Sequence, residues 1–334
     1  METAQRADGS AVIAPVELRP MGLGELLDLA ITLYRRNWIT LIGISAVINL
    51  PLLFLQVIAA ALALPSNIFE LGQTPNSSLS SSEGMLLYYA ALGLISLIGF
   101  VAQIFEAGAF SAAISERYLG RSITIKQAYG RALRRWLTLI FASVLVGLVE
   151  LAVFAPFILL FLSSFVFSIA GSQSSTYAGF LGLASLCLCC GMILFIPVAL
   201  YITTRLTFYT QAIVLENLNA PAAMGRSWRL VKNSFWRVFG TLALLWILIY
   251  ILTIVPILTV QFGLNIFLPL AVMASTILGS VLGTLITILI TPIQHAVVTL
   301  LYYDLRIRKE GFDLEFAMRQ SDTALPNPPP AGGV

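Results

Sequence analysis

The chain has 334 residues, of which 58% are apolar and only 10% charged, with a formal net charge of +3 and a mean hydropathy of +0.91. Soluble globular domains carry far more charge, so this composition specifies a polytopic membrane protein. The apolar stretches are long and continuous rather than short and alternating, which excludes a membrane β-barrel and makes the expected fold all-α.

Residues 1–17 read as a flexible N-terminal segment ahead of a membrane domain over 18–316. The first apolar run starts near residue 39, too late for a cleavable signal peptide, so the first span is expected to be retained as an anchor. Six spans are expected, at about 39–63, 86–112, 137–164, 179–204, 238–260 and 267–300. Each reaches the ~20 residues that a helix needs to cross the hydrocarbon core.

A short amphipathic helix precedes every second span. In the first, Leu23, Leu26, Leu27, Ala30, Tyr34 and Trp38 form a face opposite Glu25, Asp28, Arg35 and Arg36. In the second, Ile125, Ala128, Tyr129, Ala132, Leu133 and Trp136 oppose Lys126, Gln127, Arg131, Arg134 and Arg135. The third sets Met224, Trp228, Val231 and Phe235 against Arg226, Arg229, Lys232 and Asn233, with Pro221 suited to its first turn. Trp38, Trp136 and Trp236 stand 98 and 100 residues apart, each just ahead of a span. Glu116 and Glu216 lie 20 residues before the next such Trp, and Pro156 and Pro256 lie 20 after one. The chain therefore reads as three repeats, about 18–118, 119–218 and 219–316, each an interfacial helix followed by a transmembrane hairpin.

Between the two spans of each hairpin there is no Lys or Arg. The loop 64–85 is rich in Ser, Asn and Pro, and its Asn76-Ser77-Ser78 matches a glycosylation acceptor that matters only in a secretory pathway. All 19 basic residues lie in the N-terminal segment, the 113–136 and 205–237 connections, or the C-terminal region. That bias places both termini in the cytoplasm, and the basic inner face suits anionic lipid headgroups rather than nucleic acid. Cys187, Cys189 and Cys190 fall inside the fourth span and behave there as small apolar residues. Pro51, Pro156, Pro197, Pro256 and Pro292 are kinks supported by neighbours or breaks lining a cavity. Ser275, Gly279 and Gly283 form a small-residue face for close helix packing, within the bundle or between subunits. The Pro-rich tail 317–334 is expected to be disordered.

Polar residues inside spans are the candidate site. Counting back from Glu116, Glu216 and Asp304 puts Glu106, Arg205, Gln294 and His295 at one level in spans two, four and six. The functional reading is an ion, proton or headgroup site; the structural reading is a Glu106–Arg205 pair that fixes helix register. Glu150, in the third span, has no partner at its depth, and protonation is the other way to accommodate it. His295 is the single histidine of the chain. There is no phosphate-binding glycine loop, metal-ligand cluster or nucleophile with a histidine partner, so neither cofactor, metal nor catalysis is expected.

Three stretches carry a family resemblance. They are Leu18-Arg19-Pro20-Met21-Gly22-Leu23-Gly24-Glu25-Leu26-Leu27-Asp28 with Leu33-Tyr34-Arg35-Arg36-Asn37-Trp38, then Gly225-Arg226-Ser227-Trp228-Arg229-Leu230-Val231-Lys232, and Tyr302-Tyr303-Asp304-Leu305-Arg306-Ile307-Arg308-Lys309-Glu310-Gly311-Phe312-Asp313-Leu314-Glu315. Together they resemble the bacterial glycerophosphoryl diester phosphodiesterase membrane-domain family over roughly residues 18–316. The resemblance implies an integral membrane protein of a bacterial cell. It does not imply phosphodiesterase activity, because that chemistry belongs to a soluble domain for which this sequence has no room.

The expectation is a non-enzymatic, multi-pass protein of the bacterial inner membrane that organises the bilayer or serves as a scaffold or accessory subunit. Arg35, Arg36, Lys126, Arg131, Arg134, Arg135, Arg226, Arg229 and Lys232 would meet anionic phospholipid. A membrane-protein partner or a second copy fits the same role. The alternative is a transporter or channel for a small solute, ion or lipid, using the polar cluster of spans two, four and six.

Overall fold

The computed structural model describes residues 19–63, 82–169, 191, 195–267 and 272–312. The expectations for 1–17, most of the loop 64–85, Cys187, Cys189, Cys190 and the tail 317–334 lie outside these residues. The described fold is all-α. Helix α1 spans Leu23–Ala63, α2 Ser82–Tyr118, α3 Ile125–Leu133 and α4 Trp136–Ile169. Helix α5 covers 195–206, and is followed by α6 Tyr209–Glu216, α7 Ala220–Val231, α8 Phe235–Phe267 and α9 Val272–Glu310. Six stretches are long and apolar enough to cross a membrane: Leu23–Ala59, Tyr89–Tyr118, Trp136–Ala155, Phe195–Glu216, Phe235–Gly263 and Leu278–Glu310. The chain is a polytopic membrane protein whose apolar helix surfaces contact the lipid bilayer.

The amphipathic segments are separated from the spans by local breaks. In α1 the break is Asn37, with φ −127° and ψ 22°, and its side-chain amide donates to the Leu33 carbonyl at 3.0 Å. The break between α3 and α4 falls at Arg134 and Arg135. That between α7 and α8 turns on Asn233, which adopts a positive φ of 65°. Thr124 starts α3 with a capping box to Gln127, and Pro221 occupies the first turn of α7. Gly120 and Gly311 follow α2 and α9 at φ 78° and 63°, the left-handed conformation that ends a helix at little cost when no Cβ is present.

The buried core sits at one end of the bundle, here called the base, where the short helices lie. It joins Leu26, Ala30, Leu33 and Leu41 of α1, Phe110 and Ile114 of α2, Leu230 of α7 and Leu300 and Tyr302 of α9. A second cluster seats Ala132 of α3 and Leu139 of α4 on Ala212 and Ile213 of α6 and Ala220 and Ala223 of α7. Away from the base, large apolar side chains such as Phe54, Leu97, Tyr250 and Phe262 point outward, as lipid-facing residues do.

The small-residue face of the last helix works inside the bundle. A Cβ on Gly283 would stand 3.2 Å from Ile257 of α8, and one on Gly279 would meet the Gln261 amide at 3.8 Å. Pro51, Pro256 and Pro292 lie within continuous helices rather than at breaks. A tight glycine contact joins α2 to the second amphipathic segment: a Cβ on Gly108 would meet Ala132 Cβ at 3.0 Å and Leu139 at 3.2 Å. Gly108→Val is therefore expected to cost about 1–3 kcal/mol in a denaturant titration of the detergent-solubilised protein. Gly147→Ala, with no atom within 4 Å of the new Cβ, should stay within ~1 kcal/mol of the parent.

Candidate functional site

Acids at the base-end termini of the spans are held by arginines of neighbouring segments. Glu116, at the end of α2, accepts from Arg131 of α3 at 2.5 Å and lies 3.9 Å from Arg121. Glu216, at the end of α6, takes a two-pronged contact from Arg226 of α7 at 2.8 and 2.9 Å. It also accepts from the Tyr302 hydroxyl and lies 3.5 Å from Arg306. Arg226 reaches on to Glu310 of α9, at 2.7 Å through one of its nitrogens. The hydrogen bonds to Glu310 come first among the causes that hold the Arg226 pKa above its ordinary value; desolvation opposes them and the contacts to Glu216 add to them.

Asp304 of α9 is the deepest of these acids, with its side chain fully buried. It accepts the backbone N–H of Met21, just ahead of α1, at 2.8 Å. Arg237 of α8 lies 2.9 Å away and Arg308 donates at 3.0 Å. Both arginines also donate to the Met21 carbonyl. One carboxylate thereby gathers the starts of α1 and α8 onto α9.

The polar residues expected at one level in spans two, four and six are not assembled into one cluster. Glu106 of α2 is buried and faces α1, where Ser45 donates at 2.8 Å and Asn49 donates to its two oxygens at 3.2 and 3.3 Å. Arg205 turns toward the base instead. It donates to the Tyr201 hydroxyl at 2.8 Å and the Trp228 carbonyl at 3.2 Å, and its guanidinium lies 5.0 Å from the centroid of each of those rings. Its Nε is buried with no hydrogen-bond partner. The expected Glu106–Arg205 pair is therefore absent, because the arginine finds carbonyl and aromatic partners on α5 and α7 closer to its own helix end.

His295 stacks on Phe110, with ring centroids 4.8 Å apart and planes 16° off parallel. Gln294 lines a mainly apolar groove of about 490 Å³ between α8 and α9, with Tyr250, Thr253 and Thr291. Glu150 has a partner that its sequence position did not show, Thr203 of α5, which donates at 3.4 Å.

The basic residues expected to meet headgroups divide into two sets. Arg131 and Arg226 are engaged by internal acids. Arg35, Arg36, Lys126, Arg134, Arg135, Arg229 and Lys232 have no ion pair among the described residues, and all but the half-buried Arg135 are exposed. Trp38, Trp136 and Trp236, at the adjoining breaks, are 54%, 49% and 78% exposed. The arrangement sets exposed cations and exposed indole rings together at the base. No group of three or more His, Cys, Asp or Glu suited to a metal occurs among the described residues.

Residues 30–305 match a domain of unknown function, DUF7847. The chain belongs to that family. The match takes in four of the six membrane-spanning stretches whole and most of the first and last, from within the first amphipathic segment to the residue after Asp304. No curated protein and no solved structure matches the chain.

Ser45 and Asn49 escaped the sequence reading, although a signal was present. They are polar residues four apart in an apolar span, and hence on one helical face. The clasp at Asp304 makes a sharp energetic forecast. Asp304→Asn removes the charge from a fully buried acceptor facing two arginines, and is expected to cost about 3–5 kcal/mol. Glu25→Gln breaks the 3.0 Å pair with Arg19, whose side chains are 50% and 66% exposed, and should cost no more than ~1 kcal/mol. Denaturant titrations of the two variants in one detergent measure the contrast.

Proposed function

We propose that this is a non-enzymatic membrane protein of the bacterial cytoplasmic membrane, which organises the bilayer around it or supports a partner by holding anionic phospholipid at its base. The observation that carries this is the unequal fate of the charges there. Glu116, Glu216, Asp304 and Glu310 are engaged by arginines of the same chain. Among the described acids of this end, Asp28 alone is left without an ion pair. The exposed cations are a surplus beside three junction tryptophans, and phosphate-bearing headgroups are the anions within reach. Each Lys or Arg near an anionic membrane surface contributes about 1 kcal/mol.

The one-sided distribution of Lys and Arg supports placing this base, and both termini, in the cytoplasm. The resemblance to the glycerophosphoryl diester phosphodiesterase membrane-domain family supports a bacterial origin and a membrane role separate from hydrolysis. The three clasps support the threefold repeat. Glu116 of the first unit holds α3 of the second, and Glu216 of the second holds α7 of the third. Asp304 of the third returns to the start of the first at Met21.

The tryptophans provide the assay. With the full chain in bilayers, brominated anionic lipid should quench Trp fluorescence more strongly than brominated zwitterionic lipid. Replacing Arg35, Arg36, Arg134 and Arg135 together by Gln should weaken the preference by about 1 kcal/mol per charge removed. Equal quenching of the parent by the two lipids would sink the proposal.

A further inference from the structure

A cavity of about 330 Å³ lies between α1, α2 and α9, on the side of Glu106 away from the base. Its walls are unusual for this depth. Asn49 and Gln56 of α1, Ser96 and Gln103 of α2 and Thr284 of α9 line it, together with Phe100. Asn49 and Gln56 are two turns apart on one face of α1. Ser96, Gln103 and then Glu106 follow one another along the facing side of α2, so the polar lining runs into the acid. Asn49 is the link, because it both lines the cavity and donates to Glu106. Polar side chains at bilayer depth are costly unless they meet protein, water or a guest.

The acid decides which guest. Glu106 is buried, and its hydrogen-bond donors, Ser45 and Asn49, are both neutral. No Lys or Arg pairs with it among the described residues. A buried carboxylate without a countercharge is unfavourable, and a cation in the adjoining cavity relieves it. A bare divalent metal ion is a poor match, since its sites usually draw on more than one acidic or imidazole ligand, and no group of three or more His, Cys, Asp or Glu occurs among the described residues. An organic ammonium matches both halves of the lining. Its N–H groups donate to the amide and hydroxyl oxygens, and its carbon skeleton lies against Leu52 and the Phe100 ring.

We infer that this cavity binds a small organic ammonium ion, with the charged nitrogen at the Asn49 end, where it compensates Glu106, and the apolar body along Leu52 and Phe100. The site is separate from the headgroup contacts at the base and stands or falls independently of them. Titration calorimetry of the full chain in zwitterionic nanodiscs, with n-butylammonium chloride as the probe, tests it without an anionic surface. Saturable binding is expected, with none for sodium chloride and none for n-butanol, which keeps the carbon chain without the charge.

Glu106→Gln should weaken the affinity about tenfold or more, the size of a lost charge-assisted contact. Gly99→Leu is a second variant that leaves the acid untouched. Gly99 lines the cavity and a Cβ there would meet Leu52 at an ordinary 3.5 Å, so the longer side chain extends into the space where the probe sits. It should abolish binding. The inference is overturned by an absence of saturable binding in the parent, by an equal response to n-butanol, or by parental affinity in either variant.

Discussion

Apolar helices have no hydrophobic reason to prefer one another over lipid, since acyl chains are as apolar as leucine. This bundle depends instead on charged and polar contacts at its base. Asp304 is the centre of them, because it joins segments far apart in sequence. Its bond to the Met21 N–H connects residues 283 apart, and its ion pair with Arg237 connects residues 67 apart. The core of the base holds the fully buried side chains of Tyr302, Phe110, Phe208 and Leu26. Farther along, packing loosens; within the most apolar window of α8 only 6% of residues are buried. The molecule is a clasped base carrying lipid-facing helices.

That arrangement explains why arginines of similar sequence context behave differently. Arg131 and Arg226 lie on the sides of α3 and α7 that face the ends of α2 and α6, so carboxylates capture them. Arg134 and Arg135 sit in the break at the end of α3, where the chain turns toward α4, and no acid reaches them among the described residues. Arg205 is a third case. It is nearly buried, and its partners are a carbonyl, a phenol and two aromatic faces rather than an anion. A guanidinium placed this way leaves Glu106 in the α1–α2 contact.

The elements legible in the sequence were those set by the chain's local pattern. Apolar length marked the spans, the charged faces marked α3 and α7, and Trp38, Trp136 and Trp236 marked the breaks where span helices begin. What stayed hidden was azimuth. Counting residues back from Glu116, Glu216 and Asp304 fixes depth along each helix but not the direction a side chain points around it. Glu106 faces α1, Arg205 faces α7, and Gln294 faces the α8 groove, so equal depth did not bring them together. The base clasps were hidden for the same reason, since they depend on which helix ends are neighbours. Ser45 and Asn49 needed only the further step of asking which polar residues in another span share a helical face.

Helix α1 connects the two regions. Arg35 and Arg36 stand before its break at Asn37, Ser45 and Asn49 reach Glu106 two to three turns later, and Gln56 lines the cavity beyond. Its start is held by Asp304 at Met21, while Tyr129 of α3 donates to the Ile44 carbonyl at 2.7 Å, one residue before Ser45. A helix held at both points has little freedom to slide or rotate, and the depth of its cations and the position of its amides are set together. A side chain more than 250 residues away, Asp304, thus fixes the frame in which Asn49 meets Glu106. The break at Asn37 leaves one joint in that frame, between the part of α1 that lies with the short helices and the part that runs through the bundle.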